Sequence, residues 1–160
     1  MKLGLLTAPF PETPLDEVVD WTVDNGFTTI EIACWPASSG DTRRYAGTSH
    51  IDVDGITDAR AGEIAESVTG RGLEISGLGY YPNPLAPDPA EAQVYVDHLK
   101  AVIRASQLLG VGRVNTFVGR DWTKTVDAQW GRFLETWRPL VAYAEQHEVR
   151  IGIENCPMLF

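Results

Sequence analysis

The 160-residue chain has very little cysteine: Cys34 and Cys156 are its only two thiols. Two thiols build no disulfide framework, and nothing around them has zinc-ligand spacing, so a reducing compartment, the cytoplasm, is expected. Basic residues are scarce as well. Thirteen Lys and Arg against 22 Asp and Glu leave a formal charge of −9. A surface of that sign repels polyanions, so neither nucleic acid nor an anionic membrane is an expected partner, although a local basic pocket for a phosphate is compatible with it. Long apolar runs are absent too. The opening stretch holds one lysine and a short apolar run interrupted by Pro9 and Pro11. That is too short for the apolar stretch of a signal peptide, and no span approaches the roughly 20 residues of a membrane helix. Low-complexity tracts are missing, which argues against a disordered tail. What remains is a composition 44% hydrophobic, enough for one domain with its own core.

Five short apolar runs read as buried strands: residues 2–7, 27–34, 73–79, 113–118 and 149–154. They are rich in Ile, Leu and Val and mostly lack polar alternation, as parallel strands covered on both faces do. Four helical patterns lie between them. The first is expected to cap at Thr13, start at Pro14, bury Leu15, Val18, Val19 and Thr22, and stop at Gly26. The second spans 58–71, with Ile64, Ala65 and Val68 inward and Gly72 as its stop. The third opens on Asp88 and Pro89, with Glu91 placed for a capping box, and buries Tyr95, Leu99, Val102, Ile103 and Ser106 before Gly110. The fourth covers 127–147, and Pro139 inside it predicts a kink or break near Arg138.

This βαβαβαβαβ order makes a parallel sheet with right-handed crossovers, either doubly wound or a barrel. A dinucleotide-binding sheet would carry a Gly-rich turn after its first strand. Here that turn is Ala8-Pro9-Phe10-Pro11, which cannot cradle a pyrophosphate. The expectation is therefore α/β, an incomplete (β/α)8 TIM barrel with its first five strands and four helices, all 160 residues forming one N-terminal portion. The final Met158-Leu159-Phe160 carries no terminating signal and reads as interrupted.

In such a fold the ligand site lies at the C-terminal ends of the strands. That collects Glu31, Cys34, Trp35, Tyr80, Tyr81, Asn115, Thr116, Glu154 and Asn155, together with the long connection 36–56 bearing Arg43, Arg44, Tyr45 and His50. Glu154 follows Ile151-Gly152-Ile153 directly, so a carboxylate stands where a buried strand reaches the mouth. A metal ion or a basic partner would stabilise it there; a surface Glu at a frayed strand end is the alternative. Asn155 orients that carboxylate, hydrogen-bonds a substrate hydroxyl, or serves the turn before Pro157. Glu31 interrupts an apolar strand and faces the side opposite Ile30 and Ile32, there to hold a substrate or enter a buried ion pair. Trp35, Tyr80 and Tyr81 offer a wall for a sugar ring, or cap the core. His50 is a candidate ligand or proton carrier, with a solvated loop histidine as the alternative, while His98 and His147 read as helix-surface residues. Cys156 has no nearby His to activate it.

Three segments carry a family resemblance: Gly26-Phe27-Thr28-Thr29-Ile30-Glu31-Ile32, Leu108-Leu109-Gly110-Val111, and Val149-Arg150-Ile151-Gly152-Ile153-Glu154-Asn155. Together they resemble the sugar phosphate isomerase/epimerase family with its xylose isomerase-like barrel, over essentially the whole chain. The resemblance implies that Glu154 binds a divalent metal (Mn, Mg, Co or Zn). It also implies further ligands, an Asp, a His and a second Glu, from sixth to eighth strands that this chain does not contain. The two Glu residues would move protons on opposite faces of a carbohydrate substrate while the metal polarises its carbonyl, an enediolate mechanism.

One departure concerns ketose 3-epimerases. Those members carry Glu-Pro and another Glu six residues on, whereas this chain has Glu154-Asn155-Cys156-Pro157 and Phe160 in sixth place. The related endonuclease IV group needs histidine ligands at earlier strand ends, where Tyr80 and Asn115 stand, and the acidity of the chain opposes DNA. The expectation is thus a metal-dependent isomerase or epimerase of carbohydrate metabolism. The alternatives are a lyase or dehydratase on an oxidised sugar or inosose, and an inactive fragment. An open five-strand sheet further predicts self-association or a complementing C-terminal half.

Overall fold

The computed structural model describes residues 1–36 and 47–155. Five strands and four helices alternate: β1 (Gly4–Leu6), α1 (Leu15–Asp24), β2 (Thr29–Ala33), α2 (Asp58–Thr69), β3 (Glu74–Gly79), α3 (Pro89–Leu108), β4 (Arg113–Phe117), α4 (Val126–Gln146) and β5 (Arg150–Glu154). All strand pairs are parallel and the spatial order is simply β1-β2-β3-β4-β5. A doubly wound sheet reverses its order at a switch point. This one never does, so successive right-handed crossovers carry every helix to the same face. It is the wall of a TIM barrel, five-eighths of the way round.

The caps explain the helix starts. Thr57 and Thr125 accept backbone N–H bonds from Arg60 and Ala128, and Asp88 accepts from Ala90 with Pro89 in the first turn. Two capping expectations fail. Pro14, not Thr13, is the N-cap of α1 and makes no side-chain bond. Glu91 closes no capping box; its carboxylate accepts the Tyr95 hydroxyl at 2.7 Å, one turn along the helix. The break predicted at Pro139 does not occur either. α4 continues to Gln146, because the burial of Trp137, Leu140 and Ala144 anchors it on both sides of the missing N–H.

The core lies between the sheet and its helices. Ile30, Ile32, Leu78 and Val114 face outward from the strands and are fully buried against Val18, Val19, Ala61, Val68, Leu99, Val102, Ile103 and Leu140. The alternate strand positions turn to the inner face. A register shift between Ile30 and Glu31, opposite Ser76, keeps this alternation in step, with Glu31 beside Gly77. The β5 edge is only partly covered, and Ile153 is 51% exposed. Among the described residues no helix is long and apolar enough to cross a membrane.

Candidate active site

Alternation sends Glu31 to the inner face because Ile30 and Ile32 are held outward in the core. Both of its carboxylate oxygens are engaged. The Tyr81 hydroxyl donates to Oε1, and Asn115 Nδ2 donates to Oε2 at 2.7 Å. The partners are thus two neutral donors rather than the basic partner of an ion pair. The room for this cluster comes from glycines on β3 and β5. A Cβ on Gly79 would stand 2.5 Å from Glu31 Oε1, one on Gly77 would stand 3.0 Å from Asn115 Nδ2, and one on Gly152 would strike Asn115 Oδ1. Tyr81 also packs on Phe117, ring centroids 4.9 Å apart. Its phenol pKa is driven up by burial first, then by the bond to Glu31 and the negative charges of Glu31 and Glu154, so it stays protonated.

Glu154 ends β5 in register with Phe117, two residues beyond Gly152, and so lies on the same inner face. The residue is exposed, but partial desolvation of its carboxyl raises the pKa, and the negative Glu31 adds to the rise. Among the described residues no hydrogen bond or ion pair reaches it. A strand-end carboxylate without a partner beside a second, satisfied carboxylate is a place where a cation would relieve repulsion. Yet among the described residues no group of three His, Cys, Asp or Glu side chains stands close enough to hold a metal. Glu154 fits a divalent metal as one ligand of a centre; the described residues are not a centre by themselves. Asn155 is exposed beside it.

The remaining candidates separate from this cluster. Tyr80 points the other way from Tyr81, into the outer core, and is fully buried. Its ring lies 5.0 Å from Trp35 and 4.7 Å from His98, so Trp35 and Tyr80 form one aromatic group outside the wall. The sugar wall expected from these aromatics therefore reduces, on the inner face, to Tyr81 with Phe117. His50 is half-buried, not solvated. Thr7 Oγ1 lies 2.9 Å from its Nδ1 and the Thr13 carbonyl 3.0 Å from its Nε2, so both ring nitrogens are engaged. Burial lowers its pKa, with the Thr13 bond opposing, and the ring is a neutral tie between β1, the α1 entry and its own loop.

His98 is not a surface residue. It is buried, donates from Nε2 to the Cys34 carbonyl at 2.9 Å and packs on Tyr80. Cys34 is fully buried, and burial pushes its thiol up, which makes it inert. Arg43, Arg44, Tyr45 and Cys156 lie outside the described residues.

A second structured corner at this end of the barrel was not foreseen from the sequence. Asn83, after β3, clasps the backbone of Arg120, after β4: its Nδ2 donates to the Arg120 carbonyl at 2.8 Å and its Oδ1 accepts the Arg120 N–H at 2.7 Å. Next door, Asp121 is 1% exposed. Its pKa is held down to about 2, first by the Thr123 hydroxyl and then by Lys124. The signals the sequence offers for it, Asn83-Pro84 and the Asp121–Thr123 pair, are of a kind common to ordinary turns.

Residues 19–160 match the family model described as Xylose isomerase-like TIM barrel, and the chain belongs to that family. Among solved structures it is similar to D-psicose 3-epimerase with D-tagatose from Clostridium cellulolyticum H10 at 20% identity and a TM-score of 0.69, covering 96% of this chain and 52% of that one. It is similar to the probable 3-DHS dehydratase AsbF, involved in petrobactin synthesis, from Bacillus anthracis, at 15% identity and a TM-score of 0.70, covering 98% and 53%. It is also similar to an L-ribulose 3-epimerase at 18% identity and a TM-score of 0.62, covering 99% and 50%. Identities this low establish the fold. The chain spans about half the length of these structures. No curated protein matches it in sequence.

Proposed function

We propose that this chain carries the N-terminal share of the active site of a divalent-metal-dependent isomerase or epimerase, acting on a sugar or sugar derivative by proton transfer through an enediolate. One observation supports this above the rest: among the described residues nothing pairs with the Glu154 carboxylate, on the inner face where β5 meets the barrel mouth, and desolvation and Glu31 both push its pKa up. A carboxylate that holds its proton more tightly is a better base at neutral pH, and it stands within the field of Glu31. Family membership and the similarity to solved epimerases support the sugar isomerase or epimerase class.

In this reading Glu154 would help to hold the metal and would move a proton at a carbon next to the substrate carbonyl. When bound, the metal supplies Lewis-acid polarisation of that carbonyl. Asn115 and Tyr81 fix Glu31 beneath it, and Tyr81 stays a protonated phenol whose oxygen remains an acceptor for a substrate hydroxyl. Phe117 and the Tyr81 ring close the apolar side. The other metal ligands and the second proton-moving group come from a C-terminal half, on a longer chain or a complementing partner.

A dehydratase, the activity named for one structural neighbour, would share the proton abstraction and differ in expelling a hydroxyl. Recovery of an isomeric sugar separates it from recovery of an unsaturated, dehydrated product.

The test is made on the protein as its natural gene encodes it. Metal analysis after dialysis against Mn²⁺ should give about one ion per chain, as one complete centre requires. Glu154→Ala should lose both the ion and the turnover of ketose substrates. A variant that keeps full metal content sinks the ligand assignment.

A further inference from the structure

We infer that Arg120 binds an oxyanion at the barrel mouth, and therefore that the ligand of this site carries a carboxylate or a phosphate. This deepens the sugar-derivative reading above and rests on it for the location of the site.

Arg120 lies in the loop three residues past the end of β4, at the end of the wall where Tyr81 follows β3 and Glu154 ends β5. Its Nε is buried without a hydrogen-bond partner. Only Trp35 Nε1 and Tyr80 OH share that condition among the described residues, and those two side chains pack together on the outer face. Arg120 differs from them in carrying a permanent charge, for which a half-desolvated, unpartnered state is far less favourable. No carboxylate of the described residues pairs with it. The adjacent Asp121 is already committed, accepting from the Thr123 hydroxyl at 2.5 Å and pairing with Lys124 at 3.0 Å and Arg132 at 3.6 Å.

The backbone that carries Arg120 is firmly fixed for a loop. Asn83 engages both its N–H and its carbonyl, and also accepts from Leu85 N at 3.3 Å. The preceding Gly119 has φ +83°, and a Cβ there would lie 2.6 Å from Asn83 Oδ1, 2.8 Å from Pro84 Cδ and 2.9 Å from Leu85 N. Glycine is required on both counts. A loop pinned in this way holds the base of a cationic side chain in place while its charge meets no carboxylate among the described residues.

That is the arrangement of a receptor for a planar or tetrahedral anion, which a guanidinium meets with two parallel N–H bonds. In a chain of net charge −9, an anionic ligand needs such a local cation to overcome the general repulsion.

The experiment titrates the protein as its natural gene encodes it, labelled with ¹⁵N, with acetate, orthophosphate and, as a neutral control, glycerol, at constant ionic strength set with chloride. The Arg Nε–H resonance that disappears in Arg120→Lys is assigned to Arg120. Acetate or phosphate should shift it saturably with an apparent Kd of about 10 mM or tighter, while glycerol leaves it in place. Whichever anion binds tighter identifies the carboxylate or the phosphate source. In Arg120→Gln the shifts of the Gly119 and Asp121 amides should fall at least tenfold while the thermal unfolding midpoint stays within a few degrees. Equal, non-saturating shifts across all arginine resonances overturn the proposal, as does undiminished binding by Arg120→Gln. A large loss of stability in Arg120→Gln with no anion effect on the wild type would mean that the arginine is purely structural, which also overturns it. A protein that binds the anion through Arg120 but keeps its metal after Glu154→Ala refutes the metal reading alone.

Discussion

Replacing Gly79 by alanine tests the inner-face cluster with a single methyl group. The added Cβ would stand 2.5 Å from Glu31 Oε1 and 3.0 Å from Tyr81 Cε2. The end of a glutamate normally swings away at little cost. Here it is held by Tyr81 and by Asn115, so making room means giving up at least one hydrogen bond to a carboxylate, worth about 1.5–3 kcal/mol. Against that, alanine restricts the unfolded chain and returns about 0.4–1 kcal/mol. The net expectation is a destabilisation of about 1–2 kcal/mol, or a lowering of Tm by roughly 2–8 °C for a domain of this size.

Gly62 and Gly131 supply the control, because each lies in a helix where an added methyl would meet nothing within 4 Å. Alanine there should stabilise by about 0.5–1 kcal/mol. Urea denaturation of the four proteins at pH 7 measures the contrast. The sharper arm is a double-mutant cycle. In a Glu31→Ala background the methyl meets no carboxylate, so Gly79→Ala should become nearly neutral. If Gly79→Ala costs the same with and without the Glu31 side chain, the clamped carboxylate is not what the glycine accommodates, and the reasoning fails.

Two further outcomes concern other parts of the molecule. The folded-state pKa of Glu154 is raised, so its contribution to stability is present below the ordinary carboxylate range and is lost as pH rises through the raised value, when its charge faces Glu31. Glu154→Gln should accordingly be at least as stable as the wild type at pH 7 and lose that advantage toward pH 4, as followed by thermal melts across that range; a variant less stable at pH 7 contradicts the repulsion. The 160-residue chain should also self-associate or bind a hydrophobic dye, because the outer side of β5 leaves Ile153 half exposed; sedimentation showing a compact, non-dye-binding monomer with cooperative unfolding would count against a missing or complementing half.

The order of elements was legible in the chain because each carries its own local signal. The apolar runs survive as strands within a few residues, and Asp88-Pro89 caps α3 as its chemistry requires. Glu31 was legible for the same reason: a charge between two isoleucines must face away from whatever buries them. Partners were not legible. Glu31 is bonded to Tyr81 and Asn115, 50 and 84 residues away, and no local pattern encodes which neutral donors will meet a carboxylate. Tyr80 and Tyr81 look identical in sequence, yet the two-residue period of the strand sends one into the outer core and the other to the inner face. His98 reads as a surface helix residue until the helix is docked and its ring finds the Cys34 carbonyl.

The amino acids alone were enough to make this protein a run of β/α units with a carboxylate at the end of its fifth strand. Both follow from periodicity and from the cost of burying charge, which act over a few residues. Three features arise only once the chain is folded: the strands lie in unbroken order as a barrel wall, Glu154 is left near Glu31 without a partner among the described residues, and Arg120 is pinned by Asn83 across two loops. Each of those depends on which distant segments the crossovers bring side by side, and that is set by the packing of whole helices on the sheet.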